Sequence, residues 1–294
     1  LARTHTAFIL AANKYRQPET SEKKSVPLGT KSRLRTPFAE KLDLPPPFRP
    51  VMLREVGDAF SHACAIAAAE GAATLVHVGR FDLAEFAVVL EPEDPLRLAR
   101  RAFYTGMCAL ADMLSAHAPP EKPISIDWPD AIRVDGGLVG GARLAWPAAA
   151  PENEPPDWLV FGAMIRLFGL GEGEPGLWPL ATALDQEGFD DVDSGRLVEG
   201  FARHLMANVD NEREHGFGET AKRYLARLAP AAASHRTIDQ RGDLLTHCRS
   251  GKIEQQSLID ALAVPSWLDP STGAPHRAPR SPLPPAAKDR SPPP

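Results

Sequence analysis

Short apolar runs alternate with helix-period segments along most of this chain. Thr74–Val78 and Glu85–Leu90 are apolar runs of strand length, parted by Gly79-Arg80-Phe81-Asp82. Ile132 and Val134 alternate with Arg133 and Asp135, the period of a half-buried strand. Asp135-Gly136-Gly137 then supplies the positive-φ residues of a hairpin turn, and Leu138-Val139 restarts the apolar run. Trp158–Leu167 is almost wholly apolar, which predicts a central strand buried on both faces. Val51–Arg54 predicts a first strand.

The helical segments carry their own stop signals. Asp58–Ala69 is alanine-rich and ends at Gly71, a C-cap residue. Pro95 opens an amphipathic helix to about His117, with Leu98, Ala102, Met107, Leu110 and Leu114 on its apolar side. Thr182–Glu187 predicts a short helix. Asp193 or Ser194 caps a long one through Phe201, Leu205 and Val209. Gly216-Phe217-Gly218 interrupts it, and Thr220–Leu228 resumes. Ile238–Leu245 and Lys252–Leu262 predict strands and a short helix of a small terminal module, with Pro265–Asp269 docking it.

Strands in hairpins with helices gathered around them argue for an α+β fold with a mixed or antiparallel sheet. The expected organisation is a disordered leader at 1–43, a main domain at 44–230, a small β-rich module at 235–270 and a Pro-rich disordered tail at 271–294. The leader is mildly basic, with Lys23, Lys24, Lys31, Arg33, Arg35 and Lys41 along its second half, and has few large apolar residues, so it lacks the means to build a core.

Composition adjusts this picture only at the margins. The net charge of −5 argues against a large nucleic-acid footprint. No apolar run reaches membrane-spanning length. Cys64, Cys108 and Cys248 are far apart and match no metal spacing, and the first two lie in alanine-rich helical segments as small core residues. An odd cysteine count without a secretory signal predicts a reducing cytoplasm. The loop Gly169–Gly176 has Gly-x-Gly character. Glu172 and Glu174 would repel phosphate there, and no GK[ST] follows.

The candidate chemistry centres on residues 127–146. Asp127-Trp128-Pro129-Asp130 places an aromatic and a proline between two carboxylates, and Gly140-Gly141 leaves strand backbone bare for a ligand to approach. Arg80, Arg133, Arg143 and Arg166 are the cations nearest these elements in the predicted order. Arg166 stands out, because an arginine on an otherwise apolar strand calls for an anionic partner.

The ordered set of segments resembles the catalytic domain of the biotin/lipoate A/B protein ligase family, whose fold is shared with class II aminoacyl-tRNA synthetases. Asp127–Asp130 with the following strand, turn and Gly-Gly is similar to the family's KWPND and KLAG segments. Val160–Arg166 is similar to its GIGIN strand, and Ala181–Gly188 to its ATSL-x-x-EG segment. The resemblance runs from about Leu44 to Asp269. It implies a mixed sheet flanked by helices and a two-step reaction. A biotin or lipoate carboxylate attacks the α-phosphate of ATP, and a lysine of a carrier protein domain then displaces AMP.

By that resemblance, Arg80 and Arg166 are the catalytic candidates. Trp128, Asp130, Arg133, Gly140, Gly141, Gly162 and Thr182 are the substrate- and ATP-binding candidates, and Asp130 is also the candidate ligand for Mg²⁺. The chain departs from the family pattern at chemically costly places. Leu138 stands where the family has the lysine of KLAG, Arg166 stands where GIGIN has asparagine, and the adenylate loop is reduced to Gly79–Asp82. Losing such a cation costs on the order of 3 kcal/mol in transition-state stabilisation. Three expectations therefore stand together: an ATP-dependent ligase, a non-catalytic binder of acyl cofactor, nucleotide or carrier domain, and an ATP-independent acyltransferase.

Overall fold

The computed structural model of the chain describes residues 42–55, 57–169, 181–229 and 235–276. Most of the expected leader, most of the loop at 169–176 and the tail from 277 onward lie outside the described residues.

The main domain opens with strand β1 (Arg49–Leu53), helix α1 (Ala59–Glu70) and strands β2 (Thr74–Val78) and β3 (Leu83–Leu90). Asp58 caps α1 by accepting from Ser61 N–H at 2.9 Å, and Gly71 ends it with a φ of 72°. Two helices follow, α2 (Leu96–Ala99) and α3 (Ala102–His117), where the sequence predicted one. The break falls at Arg100-Arg101. Arg100 is drawn to Glu152 and Arg101 to Asp94, and the Arg101 guanidinium also donates back to the Leu98 carbonyl. These tertiary partners outweigh a continuous helical pattern.

Strands β4 (Ile124–Asp127), β5 (Ala131–Val134), β6 (Gly137–Ala145) and β7 (Leu159–Arg166) complete one sheet. A 3-10 turn at Leu184–Glu187 leads to α4 (Ser194–His215) and α5 (Phe217–Ala226), separated by Gly216 at φ 80°. Among the described residues the main sheet has seven strands in the order β1-β2-β3-β7-β6-β5-β4. β1 and β2 are parallel and the other pairs antiparallel, so the sheet is mixed, as expected.

The small module holds β8 (His235–Ile238), β9 (Leu244–His247), β10 (Ile253–Gln256) and α6 (Leu258–Leu262). The strand read at Ile238–Leu245 is instead two strands and a turn. The Asp239 carboxylate accepts from the Arg241 and Asp243 amides and closes that turn. Last comes a hairpin of two short strands, β11 (Leu268–Asp269) and β12 (Ala274–Pro275). Its second strand lies beyond residue 270, in what the sequence suggested was tail.

The two faces of the main sheet are covered differently. On one face α3, α4 and α5 bury a large core in which Phe86, Phe161 and Phe201 meet. The Phe161 and Phe201 rings stack at 5.6 Å with planes 8° apart. Gly106 in α3 makes that packing possible, since a Cβ there would lie 2.4 Å from the Phe161 ring. On the other face α1 covers one half with Ala59, Ala63, Ala67 and Phe60. The β11–β12 hairpin covers the other half with Trp267.

Candidate functional site

The expected site residues divide between the two faces by strand parity, because alternate side chains of a strand point to opposite sides. On the face shared by α1 and the β11–β12 hairpin lie Gly141 and Arg143 of β6, Gly162, Met164 and Arg166 of β7, and Leu83 and Glu85 of β3. Trp128 does not join them. Its ring packs against the helix-side core and its indole N–H donates to the Tyr104 hydroxyl at 3.2 Å. Asp127 and Arg133 pair with each other at 2.6 Å, and Arg133 also donates to the Gly136 carbonyl at 2.9 Å. Arg133 thus braces its own hairpin.

The bare backbone expected at Gly140-Gly141, and that of the binding candidate Gly162, is covered by the chain itself. A Cβ on Gly140, whose φ is +158°, would meet the Met164 carbonyl oxygen of the neighbouring strand at 1.9 Å. One on Gly141 would lie 2.2 Å from the Asp130 carbonyl oxygen and 2.3 Å from Trp267, and one on Gly162 would lie 2.5 Å from Phe60. The sequence expected a ligand to approach Gly140-Gly141. What approaches is backbone and aromatic side chain of the same molecule.

Asp130 is almost fully buried, and both of its carboxylate oxygens are engaged by one residue. Ser266 N–H donates to Oδ2 at 2.9 Å, and Ser266 Oγ–H donates to Oδ1 at 2.6 Å. Burial pushes the Asp130 carboxyl up to about 6, and the Ser266 hydrogen bonds oppose that rise. A divalent ion needs several oxygen ligands. Among the described residues no group of three His, Cys, Asp or Glu gathers as a metal site. Asp130 therefore does not fit the Mg²⁺ role that the resemblance assigned to it.

The arginines are partnered as well. Arg80 grips Asp82 through two hydrogen bonds of 3.0 and 2.8 Å, which hold its guanidinium charged. Arg166 is buried and donates to the Pro275 carbonyl at 2.5 Å, while its charge acts on Asp82. Arg143 lies over the Phe60 ring at 4.3 Å and reaches Asp58 at 3.5 Å. Glu85 lies between these cations and accepts from the Ala59 amide at the start of α1, at 2.9 Å. Burial raises the Glu85 carboxyl above its ordinary value, against that hydrogen bond and the Arg80 and Arg143 charges. The result is a charged strip of Arg80, Asp82, Glu85, Arg143 and Arg166 between α1 and the hairpin.

Leu138, in the place of the family's lysine, is buried with Leu83, Ala131, Met164 and Trp267. Its carbonyl accepts from the Thr182 amide at 3.0 Å, which brings the Thr182 segment to the start of β6. Thr182 Oγ1 then donates to Glu187 at 2.7 Å, beside Lys122, which bridges Asp135 and Glu187. Cys64 and Cys108 are poor nucleophiles: burial pushes their thiols up to about 11 and about 12.

Comparison with known proteins identifies the scaffold. The model of the biotin/lipoate A/B protein ligase family matches residues 44–226. The chain belongs to this family. A biotin protein ligase-like protein of unknown function from Silicibacter sp. TM1040 is 26% identical, with a TM-score of 0.65 over 76% of this chain and 99% of that one. The Paracoccus denitrificans biotin–[acetyl-CoA-carboxylase] ligase is 28% identical over 152 residues, which are 48% of this chain and 59% of the relative. The chain therefore spans well under two thirds of that curated relative. The Aquifex aeolicus biotin protein ligase in complex with biotin and ATP shares the fold at 15% identity and a TM-score of 0.53, over 71% of this chain and 95% of that one.

Three residues of this face were not named as site candidates from sequence. Glu85 gave no signal, being one acid in an apolar strand. Ser266 and Trp267 lie far along the chain from residues 127–146 and were read as docking the small module. A cavity of about 520 Å³ lies elsewhere, lined by Asp112, His204, Asn208, Asn211, Arg223 and Arg227 of α3, α4, α5 and the residue after it. Asp112 already accepts from both arginines, at 2.7 and 2.6 Å, so each guanidinium there has an internal partner. Among the described residues no helix is long and apolar enough to cross a membrane.

Proposed function

We propose that this ligase-family protein attaches a biotin- or lipoate-like acyl group to a lysine of a carrier protein domain, using ATP and an acyl-adenylate. The observation that carries the reading is the charged strip. Arg80, Arg143 and Arg166 flank one face of the sheet, beside an apolar floor of Leu83, Ala131, Leu138 and Met164. An acyl-adenylate needs both halves: apolar surface for the acyl chain and cations for the carboxylate and phosphate. The ligand complex of the A. aeolicus relative supports biotin and ATP as the compounds to test. The P. denitrificans relative supports a carboxylase carrier domain as the acceptor. The compartment this chemistry calls for is the cytoplasm.

In the first step an acyl carboxylate oxygen bonds to the α-phosphorus, and the bond to pyrophosphate breaks. In the second, a neutral lysine amine bonds to the acyl carbon. The bond to AMP breaks, and the amine proton leaves to a base. Arg166, Arg80 and Arg143 are the groups of this chain that would balance negative charge on the carboxylate and phosphate.

A second reading has its own observation. Leu138 lies in an apolar cluster, and the glycine ledges are backfilled, which favours a protein that binds acyl cofactor or carrier domain without activating it. Pyrophosphate release with ATP plus biotin, lipoate or octanoate separates the two. Release with any of these acids supports the ligase. Binding of the acid with no release supports the non-catalytic binder.

A further inference from the structure

The face that carries the candidate residues is crossed by the chain's own residues 265–276. Trp267 is fully buried there, the largest side chain so placed among the described residues. Its ring covers Gly141 and rests against Leu83, Ala131, Leu138 and Met164, and its indole N–H donates to the Ala142 carbonyl at 3.1 Å. The polar groups around that floor have partners in the same segment. Ser266 takes both oxygens of Asp130, and the Pro275 carbonyl takes Arg166. The His276 amide closes the segment on the Trp267 carbonyl at 2.7 Å.

The attachments copy those of a small acyl ligand. A compact bicycle with an N–H donor lies on an apolar floor, and a carbonyl oxygen faces a guanidinium. Biotin presents the same elements, an N–H-bearing fused ring and a carboxylate. The segment has little structure of its own. Its strands are two residues each, turned at Gly273 with φ +65°, and a two-stranded hairpin is at best marginal alone. Val264, just before it, is exposed. The order of the strap therefore comes from its docking, and it can leave without unpairing the seven-stranded sheet.

We infer that residues 265–276 are an intramolecular occupant of the ligand face, with Trp267 in the ring position, and that an acyl cofactor binds only when this strap is displaced. The inference rests on the ligase-type reading of that face. A competitor held on the same chain weakens apparent affinity by the fraction of time the face is open.

The test is calorimetric binding of biotin and of lipoate to the full chain and to its Trp267→Ala and Ser266→Ala variants, with hydrogen exchange of 265–276 alongside. For at least one acid, apparent affinity rises at least about tenfold in Trp267→Ala and about threefold in Ser266→Ala. In the unsubstituted protein, saturation with that acid strips exchange protection from the strap. Ser266→Ala leaves the indole in place, so it carries the test if Trp267→Ala does not fold. Equal or weaker binding by the variants overturns the inference and makes Trp267 a pocket wall, with the ligase-type reading intact. No binding of either acid by any folded form overturns both.

Discussion

On the helix side of the sheet, three phenylalanines interlock and dozens of apolar side chains surround them, with Leu244 and Leu258 of the small module joining the same core. On the other side, half the cover is a single tryptophan brought in from residue 267 and held by a serine, a proline carbonyl and an indole hydrogen bond. The first cover is non-directional and broad, so its free energy is spread over many contacts. The second hangs on a few directional bonds around one buried ring. Cover of the second kind can open locally while the rest stays folded, which is what a ligand face requires.

The contrast can be broken most strongly at Phe161. Phe161→Ala removes the ring that stacks on Phe201 and is expected to cost about 3–5 kcal/mol of global stability, read by urea unfolding. Trp267→Ala empties a comparable volume, yet its cost should appear locally, as about 2–4 kcal/mol less protection of 265–276 in hydrogen exchange, with α3 and β7 amides nearly unchanged. Equal losses in both regions would mean that the strap and the core are one cooperative unit.

Asp130 sharpens the comparison through pH. Its carboxyl titrates in the folded protein at about 6, above its ordinary value of 3.8, because burial disfavours the charged form. The stability from this group is therefore fully present below the ordinary carboxylate value and is lost as pH rises through about 6. Relative to Asp130→Asn, the unsubstituted protein should lose about 2 kcal/mol between pH 4 and pH 7.5 in paired denaturant titrations. A pH-independent difference would show that the carboxyl is solvated.

Ser266→Ala removes the hydroxyl hydrogen bond to Asp130 Oδ1, leaves the backbone one to Oδ2, and should lower strap protection by about 1–3 kcal/mol. At the bottom of the scale, Arg203→Ala cuts an exposed pair with Asp43 on the helix side and should change thermal stability by less than about 1 kcal/mol.

Much of the fold was legible because its signals are local. Thr74–Val78 falls on β2 residue for residue, Asp193 caps the helix it precedes, and Gly71 and Gly216 end theirs. The motif order from Asp130 to Thr182 was also legible, and the structure brings Thr182 to Leu138. The helix break at Arg100-Arg101 was not, since Glu152 lies about fifty positions away. Nor was the orientation of Trp128, which a cis Trp128–Pro129 bond and Tyr104 accompany on the helix side.

By itself, then, the sequence determined the α+β class, the family, a hairpin turn near Asp135-Gly136 and bare strand backbone at Gly140-Gly141. Periodicity, capping and glycine placement are properties of neighbouring residues, so they survive in a linear reading. Only the tertiary structure decided what makes the close approach, and which partners hold Asp130 and Arg166. Those partners, Ser266, Trp267 and Pro275, lie roughly 110–140 positions along the chain. Their pairing depends on burial in three dimensions, where a desolvated carboxylate or guanidinium must find a partner wherever the fold supplies one.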